Sequence, residues 1–139
     1  MIKYQNVIKT NYGGDRKFPM VAPADIAEVI AEEIQNLLSE NKVRYVSSDE
    51  RNGNEIATIL GTAIGKPDLK WIVISNEEVQ KNMENFGVPS QLAKGFVDMF
   101  DSMYKGELAK DFYLHQPTIL GKTKLEDFAK DFAIAYNQL

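Results

Sequence analysis

The chain has 139 residues, no cysteine and a formal net charge of −4. Its length suits one compact domain with a hydrophobic core, and we expect residues 1–139 to form a single domain. The lack of cysteine excludes disulfides and thiolate metal sites, and the mildly acidic, interspersed charge gives no reason to expect nucleic acid or an anionic membrane as a partner. No apolar run approaches membrane-spanning length and Met1–Asn6 lacks the apolar core of a signal peptide, so we expect a cytoplasmic protein.

The spacing of apolar residues and of helix-start signals predicts five helices. They are expected to begin at Pro23, at Asn52 with Glu55, at Ser75 with Glu78, at Pro89–Ser90 and at Thr123 with Glu126. Three of these signals are capping boxes, in which side chains satisfy free backbone amides in the first turn of a helix. The expected ends of the first four helices are Leu38, Gly65, Gly87 and Gly106.

Apolar and β-branched runs predict fewer and shorter strands. Val43–Ser47 is short and lies between helices, and Leu69–Ile74 suits a buried strand. Val7–Thr10 and Thr118–Leu120 are plausible edge strands, and Gly13–Asp15 suits a loop or tight turn. The pattern indicates the α+β class, with about five helices packed on a small sheet of short strands.

Motifs for catalysis or for phosphate binding are absent from the sequence. The nine glycines never adopt Gly-x-Gly-x-x-Gly spacing after a strand, and no Tyr-x-x-x-Lys occurs. A tyrosine without a neighbouring lysine has a pKa near ~10 and is a poor acid–base catalyst at neutral pH. His115 is the only histidine, and Asp25 and Asp49–Glu50 are explained by solvation near helix starts. We therefore predict no catalytic, cofactor-binding or metal-binding residue in this chain.

The fourth helix carries more apolar surface than a surface helix needs. One stripe consists of Leu92, Phe96, Met99 and Met103, and a second stripe beside it consists of Val97, Phe100 and Tyr104. Either this helix is buried on both sides, or one stripe faces a ligand cavity or a partner. For the second case we hypothesise an apolar ligand pocket lined by Trp71, Phe96, Met99 and Met103, with Phe86 near its mouth.

Several segments, matched in order along almost the whole chain, resemble the NmrA-like group of atypical short-chain dehydrogenases. They are Asn11–Asp15, Val21–Ala27, Arg44–Val46 with Asp49–Glu50, Gly61–Trp71 and Gly121–Ala129. In that group this region looks like the C-terminal part, which follows a Rossmann domain with a glycine-rich phosphate turn. Members bind NAD(P) and range from quinone or isoflavone-type reductases to redox-sensing regulators without catalysis. The resemblance implies a substrate-domain-like region without its cofactor half.

Two functions remain open. The first, which we favour because no phosphate site or acid–base pair is present, is a non-catalytic domain that binds a small apolar ligand or a protein partner. The second is the C-terminal fragment of an NAD(P)-dependent oxidoreductase that needs a separate or upstream Rossmann half. In both cases we expect the chain alone to bind neither NADH nor NADPH. Without a Rossmann half, the strand around Val7–Ile8 and the apolar face of the Pro23–Leu38 helix lose their cover, which favours a homodimer, a Rossmann-half partner or a rearranged N-terminal segment.

Overall fold

The computed structural model describes residues 2–35 and 43–138, and these residues form an α+β fold, as predicted. The elements are α1 (Ile2–Gln5), β1 (Val7–Thr10), β2 (Lys17–Met20), α2 (Pro23–Gln35), β3 (Asp49–Asn52), α3 (Gly53–Ala63), β4 (Lys70–Val73), α4 (Asn76–Asn85), α5 (Ser90–Lys105), α6 (Lys110–Leu114) and α7 (Leu125–Asn137). The five predicted helices are α2, α3, α4, α5 and α7. The predicted end of α2 at Leu38 lies outside the described residues. No helix in the described ranges is both long and apolar enough to cross a bilayer.

The strands form two separate pairs. β1 runs parallel to β4, with Val7 opposite Lys70, and both strands were expected from the sequence. The expected burial of the second strand is wrong, because Ile72 and Val73 are 36% and 44% exposed. β2 runs antiparallel to β3, with Met20 opposite Asp49, and neither was expected. β2 contains Pro19, which removes a backbone donor and is tolerated only at an edge, and β3 consists of four polar residues. Their patterns therefore lack the signals by which strands are recognised.

Two predicted strands, Val43–Ser47 and Thr118–Leu120, are wrong. Within the described ranges, neither segment pairs with another strand, and a strand is defined by such pairing. One backbone hydrogen bond does link the two regions, from the amide of Gly121 to the carbonyl oxygen of Ser47 at 2.9 Å. Val43 is 79% exposed, so the first segment begins on the surface.

Two of the three predicted capping boxes are confirmed. The side chains of Asn52 and Ser75 accept hydrogen bonds from the amides three residues later, and the reciprocal glutamate bonds are present. The third, at Thr123, is wrong because α7 begins after Lys124 without a side-chain cap. The Thr123 hydroxyl instead donates to Oδ1 of Asp25 at 2.9 Å.

Asp25 is a buried structural carboxylate, contrary to the solvated helix-start role expected from the sequence. It is 4% exposed and accepts hydrogen bonds from the hydroxyl of Ser48 at 2.5 Å and from the amide of Thr123 at 3.0 Å. The Ser48 bond, followed by the bonds from Thr123 and the amide of Lys122, holds the pKa of Asp25 below its usual range despite the opposing effect of burial. Asp25 thereby ties the start of α2 to the segment before α7.

The main core lies between α3 and α7, with Leu69 closing one end. Its buried members are Ile56, Ala57, Leu60, Leu69, Leu125 and Ala129. Gly61 allows close packing at the end of α3, because a Cβ there would lie 2.5 Å from the carbonyl oxygen of Lys66. A smaller buried group, formed by Val79, Ala93 and Val97, joins α4 to α5.

Candidate functional site

Trp71, the first residue of the hypothesised pocket, is tightly packed against backbone. Its indole Nε1 donates to the carbonyl oxygen of Tyr12 at 2.7 Å. A Cβ on Gly13 or Gly53 would lie 2.5 Å and 2.6 Å from indole atoms, so the ring occupies the space that two glycines leave open. Gly13 also has a φ of +90°, a conformation that favours glycine. The Gly13 and Gly53 positions are thus explained by this ring.

The other hypothesised residues lie along α5 and at the end of α4. Phe96 and Met99 are 40% and 39% exposed on α5, while the buried side of that helix carries Ala93 and Val97. Helix α5 is therefore not buried on both sides. Phe86, after the last turn of α4, is 79% exposed. Of the five residues, only Met103 lines one of the cavities described below.

An aromatic cluster connects Trp71 to α5. The ring of Tyr12 lies at its centre, with centroid distances of 5.5 Å to Phe18, 5.6 Å to Trp71 and 4.9 Å to Phe100. Phe100 in turn lies 6.2 Å from Phe96. Burial raises the pKa of the Tyr12 hydroxyl, so this group stays protonated at neutral pH. The cluster brings Trp71 and Phe96 into one packed group.

An apolar cavity of about 180 Å³ lies beneath α6. Nine residues line it and none has a polar or charged side chain; they include Phe18, Met20, Val46, Met103, Leu108 and Phe112. The wall comes from four segments, namely β2, the segment before β3, the end of α5 and α6 with its preceding turn. Sequence periodicity found Met103 but missed the rest, because α6 spans only 5 residues and carries no periodic stripe.

Two tyrosine hydroxyls hold α6 over this cavity. Tyr113 donates to Oε1 of Glu50 at 2.7 Å, and Tyr45 donates to the carboxylate of Asp111. Burial and the bond to Glu50 raise the pKa of Tyr113 to about 12. His115, the only histidine, is exposed and stacks on the ring of Tyr45 at a centroid distance of 6.4 Å. The described residues contain no group of three side chains suited to a metal ion.

Two further cavities flank the body of the protein. The larger, about 470 Å³, lies between α2 and the 115–122 segment. Charged side chains on its wall pair with each other, as Glu28 does with Lys122 at 2.8 Å. The other, about 270 Å³, lies between the turn after β2 and the α3–α7 core, and Phe128 is 42% exposed at its wall. In the second cavity, the Nζ of Lys124 donates to the carbonyl oxygen of Ser48.

Helix α2 carries its apolar side chains on the outer surface. Ile26, Ile30 and Ile34 are 39%, 54% and 67% exposed, and they share one side of the helix. The side with Asp25 and Val29 faces the rest of the described chain. We call the surface formed by Ile26, Ile30 and Ile34 the outer α2 face. The strand around Val7–Ile8 was also expected to lose its cover, but β1 pairs with β4 and Ile8 packs on the core.

Comparisons with known proteins place this architecture among reductases. No family model matches the chain, and no curated protein matches it. A crystal structure of the Citrobacter sp. triphenylmethane reductase complexed with NADP(H) is similar, with a TM-score of 0.72 and 25% identity over 95% of this chain and 47% of the reductase. An NADPH-dependent quinone oxidoreductase from Escherichia coli matches in fold, with a TM-score of 0.72 and 23% identity over 91% of this chain and 46% of that protein.

The chain therefore spans about half the length of the reductases that it resembles. This agrees with the interpretation of the sequence as the C-terminal part of an NAD(P)-linked protein. This chain has the fold of about half of an NAD(P)H-dependent reductase.

Proposed function

We propose that this chain is the substrate-side half of an NADP(H)-dependent reductase, completed by a dinucleotide-binding half from a separate or upstream polypeptide. The outer α2 face carries this proposal. An amphipathic helix is stabilised by burying its apolar side, yet Ile26, Ile30 and Ile34 point away from the described chain. Full burial of an isoleucine contributes roughly 1.5–3 kcal/mol, so a partner on this face would gain a substantial stabilisation.

The segment Val43–Val46 supports a partner that contributes a strand. It directly precedes the buried Ser47 and Ser48, and has no strand beside it in the described part of the chain. Unpaired backbone donors and acceptors favour pairing with another strand. A partner that contributed one strand here and covered the outer α2 face would complete a layer of sheet and helix, which is the architecture of dinucleotide-binding folds.

The cofactor would then bind mainly to the partner. Pyrophosphate is held by backbone amides at a glycine-rich turn between a strand and a helix, and this sequence has no such motif. We expect no saturable binding of NADPH by the chain alone at concentrations up to millimolar. We expect the completed pair to bind NADPH.

Co-expression tests the proposal. The chain is produced with the polypeptide encoded directly upstream of it, and association and NADPH binding are followed by sedimentation and by NADPH fluorescence. Ile30→Lys is expected to abolish the pair. Ile134→Lys is the matched control, because Ile134 is 61% exposed on α7 and Ile30 is 54% exposed on α2. An upstream polypeptide that has a glycine-rich phosphate turn but does not associate with the chain, or a pair that survives Ile30→Lys, contradicts the proposal.

A second candidate function is the non-catalytic domain that binds a small apolar ligand. The cavity beneath α6 favours it, because all nine lining side chains are apolar. The two functions are distinguished by NADPH: a ligand-binding domain would bind no dinucleotide with any partner. An NADPH-dependent change in absorbance with the completed pair would rule out this second candidate.

A further inference from the structure

The cavity beneath α6 has a chemically uniform wall. Aromatic rings of Phe18 and Phe112 and the thioethers of Met20 and Met103 contribute to it, and no charged side chain does. Charged molecules lose their hydration in such a site without compensation. Flat aromatic rings gain contacts with other rings and with methionine sulfur. The wall therefore selects for uncharged aromatic molecules.

The size of the cavity sets the size of the ligand. Its volume is about 180 Å³. An engineered apolar cavity of about 150 Å³ in another protein binds benzene. The cavity opens to solvent, where Leu108 on its wall is 55% exposed, and a single ring with one or two small substituents fits in it.

Helix α6, which covers the cavity, is attached to the rest of the protein by few contacts, and these are exposed to solvent. No residue of α6 is buried, and the helix follows Gly106, which has a φ of +80°. Its attachments include the hydroxyl bonds from Tyr45 to Asp111 and from Tyr113 to Glu50. Both bonds are exposed to solvent and no residue of α6 is buried, so α6 opens at low cost compared with the core.

We propose that this cavity binds a small, uncharged aromatic molecule with a single ring, and that α6 is the lid of the site. Aromatic contacts hold two rings of the wall in place. The ring centroid of Phe18 lies 5.5 Å from that of Tyr12, and the ring centroid of Phe112 lies 5.8 Å from that of Tyr45 and 5.4 Å from that of Tyr113. The site is complete within this chain, so it does not depend on the dinucleotide-binding half.

Binding is tested on the full chain with toluene as the probe and benzoate as its charged counterpart. Toluene is expected to shift the amide resonances of β2 and α6 saturably, and its methyl group to show nuclear Overhauser contacts with the methyl groups of Met20 and Met103. Benzoate is expected to leave these resonances unchanged. Toluene contacts confined to the outer α2 face, or equal binding of benzoate, would overturn the proposal. Because no NADPH is present, the result is independent of the proposed reductase function.

Variants test the location and the lid. Ala109→Phe fills the cavity and is expected to weaken toluene binding at least tenfold, whereas Ala135→Phe on the exposed side of α7 leaves it unchanged. If Ala109→Phe does not fold, the methionine contacts in the parent decide the question. Tyr45→Phe combined with Tyr113→Phe is expected to speed toluene exchange severalfold, with Tyr4→Phe as the control. Unchanged binding in folded Ala109→Phe overturns the site, and unchanged exchange in the double variant overturns the lid.

Discussion

Helices α2 and α3 have similar amphipathic patterns and opposite environments. On α3, Ile56 and Leu60 are 6% and 9% exposed and form the centre of the core with α7. On α2, Ile30 and Ile34 are 54% and 67% exposed, and the side with Asp25 and Val29 faces the rest of the described chain. An apolar stripe predicts that a surface is buried, but it does not identify what buries it. For α3 the partner is in this chain, and for α2 we infer that it lies elsewhere.

The largest expected effect separates the two helices directly. Leu60→Ala should reduce the free energy of unfolding by about 2–5 kcal/mol, because it leaves a cavity in a packed core. Ile30→Ala should change it by less than about 1 kcal/mol, because that side chain already contacts water. Urea denaturation of both variants measures the difference. Similar losses at the two positions would mean that the outer α2 face is packed within this chain.

The next effect concerns the contact that attaches α2 to the rest of the chain. Asp25→Asn should lower the melting temperature at neutral pH, because it replaces a carboxylate that accepts hydrogen bonds from Ser48 and Thr123. The folded pKa of Asp25 is below its usual value, so its stabilisation is present above the ordinary aspartate pKa and is lost as the pH falls through the lowered value. Melting curves of parent and variant should therefore converge in strong acid. Asp131→Asn, on the exposed side of α7, is the control.

A smaller effect compares two glycines inside helices. Gly61→Ala on α3 should destabilise by about 1–3 kcal/mol, because its Cβ would lie 2.5 Å from the backbone oxygen of Lys66. Gly95→Ala on α5 should stabilise by about 0.8–1 kcal/mol, because its Cβ meets nothing within 4 Å and alanine favours a helix. Thermal denaturation should show a lower melting temperature than the parent for Gly61→Ala and a higher one for Gly95→Ala. A loss at Gly95 would indicate that this side of α5 is covered in solution.

The sequence predicted those parts of the fold that depend on neighbouring residues. The capping boxes at Asn52 and Ser75 act within one helical turn, so they were recognised without knowledge of the tertiary structure. The predicted capping box at Thr123 is wrong because the Thr123 hydroxyl donates its hydrogen bond to Asp25, almost a hundred residues earlier in the chain. Val43–Ser47 has a strand-like sequence but no neighbouring strand in the described residues.

The candidate site was only partly accessible from sequence for the same reason. Met103 was identified from the surplus of apolar residues on α5, and it lies in the wall of the cavity beneath α6. Phe18 and Phe112 were missed because β2 contains a proline and α6 is a single short turn of helix. Phe86, Phe96 and Met99 lie on the exposed side of α4 and α5, and whether they contact a ligand or partner stays a prediction.

Hydrogen–deuterium exchange of the backbone amides of α2 and α3 tests the central claim most directly. The claim is that the outer α2 face is covered by a dinucleotide-binding partner. In the chain alone, amides of α3 should exchange slowly and those of α2 quickly, because only α3 is packed in the core. Addition of the upstream polypeptide and NADPH should protect α2 and Val43–Val46 and leave α3 unchanged. If α2 stays unprotected while another surface gains protection, the account is contradicted.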